Sequence, residues 1–288
     1  MKKLLCVLCS LLILVGCGGG GSDEVVKKDY STATSVADFE GSRIAGQEGT
    51  VHADLAAQVA YETFTEYPSI PDELIALKSG AVDGFVCEEP QAITNTAIDD
   101  SITYIKLVNN DNGFKTTEEL SALAIGCAKG SDLTEKINAI MKDAGFDSAK
   151  QTALMEVMGK IAVGVAAEQN VLVYEDVDSD LVLRVGMECD SSPYNWTDTE
   201  KSATNYPIAN AEGYYADGYD VQVSAYVAYK LGMKLEVYAY EWDSLIPAVQ
   251  TGSIDAIIAG MSPTAKRKEV IDFTDTYYDT NFVIVVNK

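Results

Sequence analysis

A chain of 288 residues is long enough for one large or two modest domains, each with its own core. With 47% hydrophobic residues and only 22 Gly and 7 Pro, wholesale disorder is excluded. The formal charge of −23 would repel a phosphate backbone and argues against nucleic-acid binding.

The chain begins as a targeting segment. Met1-Lys2-Lys3 is a basic start, and the apolar stretch Leu4 to Val15 is too short to span a bilayer. It closes with Leu14-Val15-Gly16-Cys17, then Gly18 to Gly21 and Ser22. This resembles a bacterial lipoprotein signal, which implies removal of residues 1–16 and lipidation of Cys17. Residues 17–24 would then be a flexible tether to the cell membrane, on its extracytoplasmic side. Cys6 and Cys9 would leave with the signal. Cys87, Cys127 and Cys189 have no CxxC or Cys/His spacing, so no metal site or cofactor is expected. Buried free thiols are favoured over a Cys87–Cys127 bridge.

Periodicity then predicts strand 42–47, helix 52–62, strand 62–66, helix 71–79, strand 81–87, helix 89–98 and strand 102–108. A strand at 119–130 and helices across 131–144 and 146–161 follow, then a connector at 163–180. The remainder reads as strand 181–187, helix 219–232, strand 234–240, helix 243–251, strand 254–259, a short helix at 264–270 and strand 282–286. Two stretches echo each other, "DELIALKSGAVDGFVCEEP" from Asp72 and "DSLIPAVQTGSIDAIIAGMSP" from Asp243. Each is an amphipathic helix stopped by Gly, then an Asp and a short apolar strand, the unit of a parallel α/β sheet. Two lobes of similar construction are expected. The closing "FVIVV" is unbroken and apolar, which reads as a fully buried strand.

Ligands of such sheets bind beyond the carboxyl ends of the strands, so the loops at 48–52, 87–90, 187–196, 240–243 and 259–267 are the places to inspect. In "GMSPTAKR", Gly260 admits close approach to the backbone, Ser262 and Thr264 can cap the next helix, and Arg267 lies one turn in. Backbone N–H groups beside a guanidinium suit a carboxylate; an ordinary capped helix with a surface Arg is the plainer alternative. "GTVH" (Gly49 to His52) offers a second small cradle. Glu88 and Glu89 end the strand that follows Asp83 and could accept an amine. Trp242 and Tyr194 or Trp196 could supply apolar walls or simply pack.

The stretches "LRVGMECDSSPYNW", "GYYADGYDVQVSAYVAYKLG", "EWDSLIPAVQTGSIDAIIAGMSPTAKRKEVIDFTDTYY" and "FVIVV" resemble the first lobe of polar amino-acid-binding proteins of ABC importers. These are bacterial solute-binding proteins of family 3, with the type II periplasmic-binding fold. "SVADFEGSRIAGQEGTVHADLA", "ALKSGAVDGFVCEEPQA" and "ALAIGCAKGSDLTEKIN" resemble their second lobe. The resemblance implies a two-lobed α/β fold whose segments are circularly permuted. The second lobe would occupy 25–124 and the first lobe 125–288, including the returning helices 131–161 and the connector 163–180. "FVIVVNK" would be the outgoing hinge strand, cut where it enters the second lobe. Residues 25–29 and 282–288 would then be neighbours, and 119–130 the one covalently intact hinge crossing.

The same resemblance implies ligand-binding roles. Arg267 matches the carboxylate-binding arginine of a Thr-x-x-Arg motif that starts at Thr264. Ser262 matches a backbone donor to that carboxylate, Gly260 a carbonyl facing the amine, and Trp242 the stacking aromatic. Thr50 and Val51 match the second cradle, and Glu88 the usual amine-binding Asp, with a longer arm. Glu188 aligns with an acidic residue that receives basic side chains, His52 stands beside the cradle, and Ser191 replaces a frequent stacking Tyr. The implied function is capture of a free polar or basic amino acid, without catalysis, for delivery to an ABC permease by a lipid-anchored monomer. Two other classes share such a fold, a ligand sensor and a cyclohexadienyl dehydratase-like enzyme that would use Glu88 or Glu188 as its acid.

Overall fold

The computed structural model describes residues 28–142, 146–165, 177 and 179–288. The predicted signal, Cys17, the tether and most of the 163–180 connector lie outside them.

The first half builds β1 (Arg43–Gln47), α1 (His52–Ala56), β2 (Thr63–Tyr67), α2 (Ile70–Ser79), β3 (Gly84–Glu88), α3 (Glu89–Ile98) and β4 (Ile102–Ile105). The chain continues through α4 (Glu118–Ser121), β5 (Ala122–Ala128), α5 (Leu133–Met141) and α6 (Ser148–Ala162). Then come β6 (Val182–Met187), four short strands β7 (Asp190–Ser191), β8 (Asn195–Asp198), β9 (Tyr206–Pro207) and β10 (Tyr215–Asp217), and α7 (Tyr219–Leu231). The last part holds β11 (Lys234–Ala239), α8 (Trp242–Gln250), β12 (Ala256–Ile257), α9 (Ala265–Lys268), β13 (Ile271–Asp279) and β14 (Phe282–Asn287).

Two five-stranded sheets result, ordered β2-β1-β3-β14-β4 and β11-β6-β12-β5-β13. In each, four strands run in one direction and the fourth in order, β14 or β5, runs antiparallel between its two neighbours. The echo seen in the sequence has a physical counterpart in both. In the first, Arg43 donates from Nε and Nη2 to the two oxygens of Asp83 at 3.0 and 2.6 Å, and from Nη1 to the Gly80 carbonyl at 2.9 Å. In the second, Arg184 makes the same bonds to Asp255 at 3.0 and 2.6 Å and to Gly252 at 2.8 Å. Both glycines have φ near +73°, the left-handed stop that a Cβ disfavours (Gly80 74°, Gly252 73°). A guanidinium fork therefore ties each helix stop to the second strand in the order of its own sheet, β1 or β6.

The apolar closing strand is buried on both faces. Phe282, Ile284 and Val286 enter one core cluster, with Ile44, Leu55 and Phe114, while Val283 and Val285 enter another, with Leu77, Phe85 and Ala92. No residue of it could alternate with a polar one, because no face meets water.

Several expectations change. β14 lies inside the sheet of the first half, between β3 and β4, and not with the lobe to which 282–288 was assigned. Apolar continuity reports double burial but not which sheet supplies the partners. Two connections therefore cross between the sheets, residues 106–121 into β5 and Thr280–Asn281 between β13 and β14. The stretch 119–130 is not a single strand but α4 followed by β5, which starts three residues before the expected boundary at 125. Helix α1 stops at Ala56, six residues short of the expected 62, as the chain turns to let the Glu62 N–H bond the Ser42 carbonyl at 2.8 Å. The nine-residue β13 and the short strands β7 to β10 were not predicted at all. Lys28, Asp29 and Tyr30 line one surface cavity of ≈ 210 Å³ together with Asp83, Val286, Asn287 and Lys288.

Candidate functional site

The carboxyl ends of β1, β3, β6 and β12 face a common cavity, narrowed to ≈ 20 Å³ of water-accessible space. Gln47, Thr50, Val51, His52, Glu88 and Gln91 line it from the first lobe of the chain. Glu188, Ser191, Tyr194, Trp242, Ala259, Gly260, Ser262 and Arg267 line it from the other. The predicted site residues Arg267, Ser262, Gly260, Trp242, Glu188, Glu88, Thr50, Val51, His52 and Tyr194 thus meet in one place. Thr264 stands outside; its Oγ1 accepts the Arg267 N–H at 3.4 Å and caps α9. Ser262 does not cap that helix, since its hydroxyl donates instead to the Leu120 carbonyl at 3.0 Å. Trp196 packs away from the cavity, with Nε1 on Asp198 at 3.3 Å.

Arg267 is only 8% exposed. Its Nη1 donates to the Ser262 carbonyl at 2.8 Å, and Nη2 reaches across to the Gly49 carbonyl of the opposite lobe at 3.0 Å. The guanidinium carbon lies 5.1 Å from the centre of the Trp242 ring, a cation–π distance. Burial pulls its pKa down to about 10, against the opposing pull of Glu88, so it stays charged at neutral pH. Gly49 has φ +70°, and a Cβ there would meet Asp243 Oδ1 at 2.5 Å and Trp242 Cδ1 at 3.3 Å. Only glycine lets the two lobes approach at this point.

On the acidic side Glu88 is buried, Glu188 is half-buried and Asp190 is exposed at its edge. Glu88 is 8% exposed, caps α3 and sits 3.4 Å from His52 Nε2. His52 Nδ1 accepts the Gln47 backbone N–H at 3.3 Å, so the neutral ring carries its proton on Nε2 and points it at Glu88. Burial holds the Glu188 carboxyl well above the usual range, with Asp190 adding to the effect and a bond from Gln47 opposing it. Asp190 is pushed up to about 6 by burial and then by Glu241 and Asp72. Burial likewise keeps the Tyr194 hydroxyl protonated.

Three residues of the wall were missed as contributors. Gln47 Nε2 bonds Glu188 Oε1 at 2.6 Å, and Gln91 Nε2 bonds Ser191 Oγ at 2.6 Å, both between lobes; Ala259 completes the wall. Gln47 ends β1 immediately before the predicted cradle, and Gln91 is the third residue of α3, one turn after Glu88. Strand-end position was the available signal. Cys87, Cys127 and Cys189 are buried free thiols, Cys87 in one sheet and Cys127 in the other.

Two α/β lobes thus meet at one cavity that carries a guanidinium and two carboxyls. Residues 183–288, somewhat over a third of the chain, match the family of bacterial extracellular solute-binding proteins, family 3. The chain is 38% identical to the arginine-binding extracellular protein ArtP of Bacillus subtilis (strain 168), over 30% of this chain and 34% of that protein. With the L-arginine-binding protein of Pseudomonas aeruginosa it shares 29% identity, over 43% of this chain and 42% of that one. The chain thus spans roughly a third to two-fifths of the length of these curated relatives. Among solved structures, an ancestral arginine-binding protein bound to arginine is 36% identical, over 34% of this chain and 37% of that one, with a TM-score of 0.28.

Proposed function

We propose that this protein captures a free polar amino acid, with a cationic side chain preferred, and presents it to the permease of an ABC importer. One observation carries the reading: one cavity between the lobes draws a buried guanidinium from one lobe, a buried carboxyl from the other, and the half-buried Glu188. A zwitterion needs that pairing, because a buried charge is tolerable only when matched. Arg267 keeps donors free beyond the two it spends on carbonyls and takes the ligand carboxylate. Glu88 takes the amine, Trp242 and Tyr194 bound the side chain, and Glu188 receives its cationic end. Thr50, Val51 and His52 form the opposing cradle, with Gly260 and Ser262 contributing backbone groups. Binding closes the lobes about the two connections near 106–121 and 280–281. The names of the arginine-binding relatives support the choice of ligand.

The permuted order of lobes belongs to the same proposal. It is supported by β14 completing the sheet of the chain's first half and by the cavity that Lys28–Tyr30 share with Val286–Lys288. Lipidation at Cys17 would hold the protein at the outer face of the cell membrane, as a monomer. A chain rebuilt in the family's order, joined from 288 to the residues before Lys28 and opened within 163–180, should fold and bind the same ligand. Failure of a folded rebuilt chain to bind it would refute the permutation.

The function is tested by thermal unfolding of the purified protein against all twenty amino acids with ornithine and citrulline. A ligand at 100 times its Kd adds roughly 2.7 kcal/mol and a visible rise in Tm. A rise confined to arginine, lysine or ornithine supports the full reading. Polar neutral ligands alone would remove the role of Glu188, and a flat panel would remove the amino-acid reading.

A further inference from the structure

Two cavity-side loops of the lobe that carries Arg267 depart from ordinary backbone geometry. Gly260 has φ +60° and Cys189 has φ +65°, and Cys189 is one of two non-glycine residues with positive φ among those described. A side chain in that region costs on the order of 1 kcal/mol or more, so neighbouring structure must hold it. Both positions are held through their backbone N–H. The Gly260 N–H donates to the Tyr277 hydroxyl at 2.9 Å, and the Cys189 N–H donates to Asn195 Oδ1 at 2.7 Å. The two holders end on one carboxyl. Tyr277 Oη donates to Asp220 Oδ1 at 2.8 Å, and Asn195 Nδ2 donates to Asp220 Oδ2 at 2.9 Å.

We infer that Asp220 is a positioning residue for the ligand cavity, setting both left-handed turns at once through Tyr277 and Asn195. This rests on the ligand-binding reading above, and it adds a residue that touches no ligand. Asp220 is completely buried in the first turn of α7, and its backbone N–H is itself bonded to the Tyr194 carbonyl at 2.8 Å. Each of its oxygens receives a donor, and each donor's other function accepts an amide from a cavity loop, so every polarity in the chain of bonds is matched. One loop carries Glu188, Ser191 and Tyr194; the other carries Ala259, Gly260 and Ser262. Burial pushes the Asp220 carboxyl up to about 7, against the bonds from Tyr277 and Asn195. The titratable groups that face it are Tyr277 of β13, Tyr219 of its own helix, and Tyr194 and Cys189 of the β6–β8 loops, and burial keeps all four protonated at neutral pH. Among the described residues no Lys or Arg pairs with it. Protonation of Asp220 therefore weakens both tethers together.

The test follows the backbone amides of Gly260 and Cys189 by ¹⁵N NMR in the ligand-free full-length protein from pH 5.5 to 8.5. The expected result is one shared midpoint for both amides in the wild type. Tyr277→Phe removes only a hydroxyl; it should release Gly260 from that titration, leave Cys189 titrating, and weaken arginine binding about 5- to 20-fold by calorimetry. Asp220→Asn should remove the titration from both. If the amides titrate independently or not at all, or if Tyr277→Phe leaves the Gly260 amide unmoved, the inference is overturned while ligand binding stands. If the wild type binds no amino acid, the binding reading fails, and the shared titration still decides the role of Asp220.

Discussion

At the scale of single residues, charge pairing decides what the cavity accepts. Arg267 offers a planar fork that a lysine ammonium cannot reproduce. Arg267→Lys should therefore weaken amino-acid binding by about 2 kcal/mol or more, roughly 30-fold, measured by calorimetry, and an unchanged Kd would remove it from the carboxylate site. Burial raises the Glu188 carboxyl well above its ordinary range, and a ligand cation placed against it would favour the ionised form. Binding of arginine should then release a proton, so its affinity rises with pH from 5 to 8 while that for glutamine stays flat. Calorimetry in buffers of different ionisation enthalpy reads that proton directly, and Glu188→Gln should abolish the difference. The positions of these side chains at strand ends were legible from topology alone. The link from Gln47 to Glu188, 141 residues apart, was not, because it forms only when the lobes meet.

At the scale of elements, the same device is used twice. Arg43–Asp83 and Arg184–Asp255 join a helix stop to β1 and β6, the second strand in the order of each sheet, with matching bond lengths. Both arginines keep about a third of their side chains exposed, so solvent screening reduces what each pair contributes. Double-mutant cycles should give a coupling near 1 kcal/mol in each lobe, equal within error; a pair with no coupling would mark the fork as a crystal-like geometry without energetic weight. The repeated helix, Gly stop and strand was visible in the sequence because local rules write it: amphipathic period, left-handed glycine, apolar run. The strands β7 to β10 were not visible, since two- to four-residue pairings such as Asp190–Ser191 with Asn195–Trp196 follow from contacts rather than propensity. β13 was missed for a related reason, its nine residues mixing charged and apolar types with register shifts against β5.

At the scale of the whole molecule, closure and burial set stability. Gly49→Ala would put a Cβ against Asp243 and Trp242 and strain a backbone at φ +70°. Lobe closure should suffer more than folding, with affinity down at least 10-fold and a larger radius of gyration in solution scattering with ligand present. Folding raises Asp220 to about 7 and Asp190 to about 6 from an ordinary 3.8. The native state then holds protons that the unfolded chain gives up, so stability falls as pH rises from about 4 to about 7. For Asp220 alone the change is on the order of 4 kcal/mol. The lowered groups Asp29, Asp38, Asp99 and Asp272 act below pH 3.8 and do not oppose it in that interval. Urea unfolding at pH 4.5 and 7.5 should show the lower stability at 7.5, and Asp220→Asn should flatten the difference.

The amino-acid sequence by itself determined the units of this protein: the α/β class, the paired helix-stop-strand motifs, and the loops at which chemistry would collect. Local propensity and periodicity act within some ten residues, and those features are all local. Tertiary structure alone decided the partners. It put β14 between β3 and β4, carried two connections between the sheets, and joined Gly260 and Cys189 to one carboxyl on α7. An apolar strand states that it must be buried on both faces, but the sheet that buries it is chosen by which neighbours complete its hydrogen bonds, and that choice exists only in the folded chain.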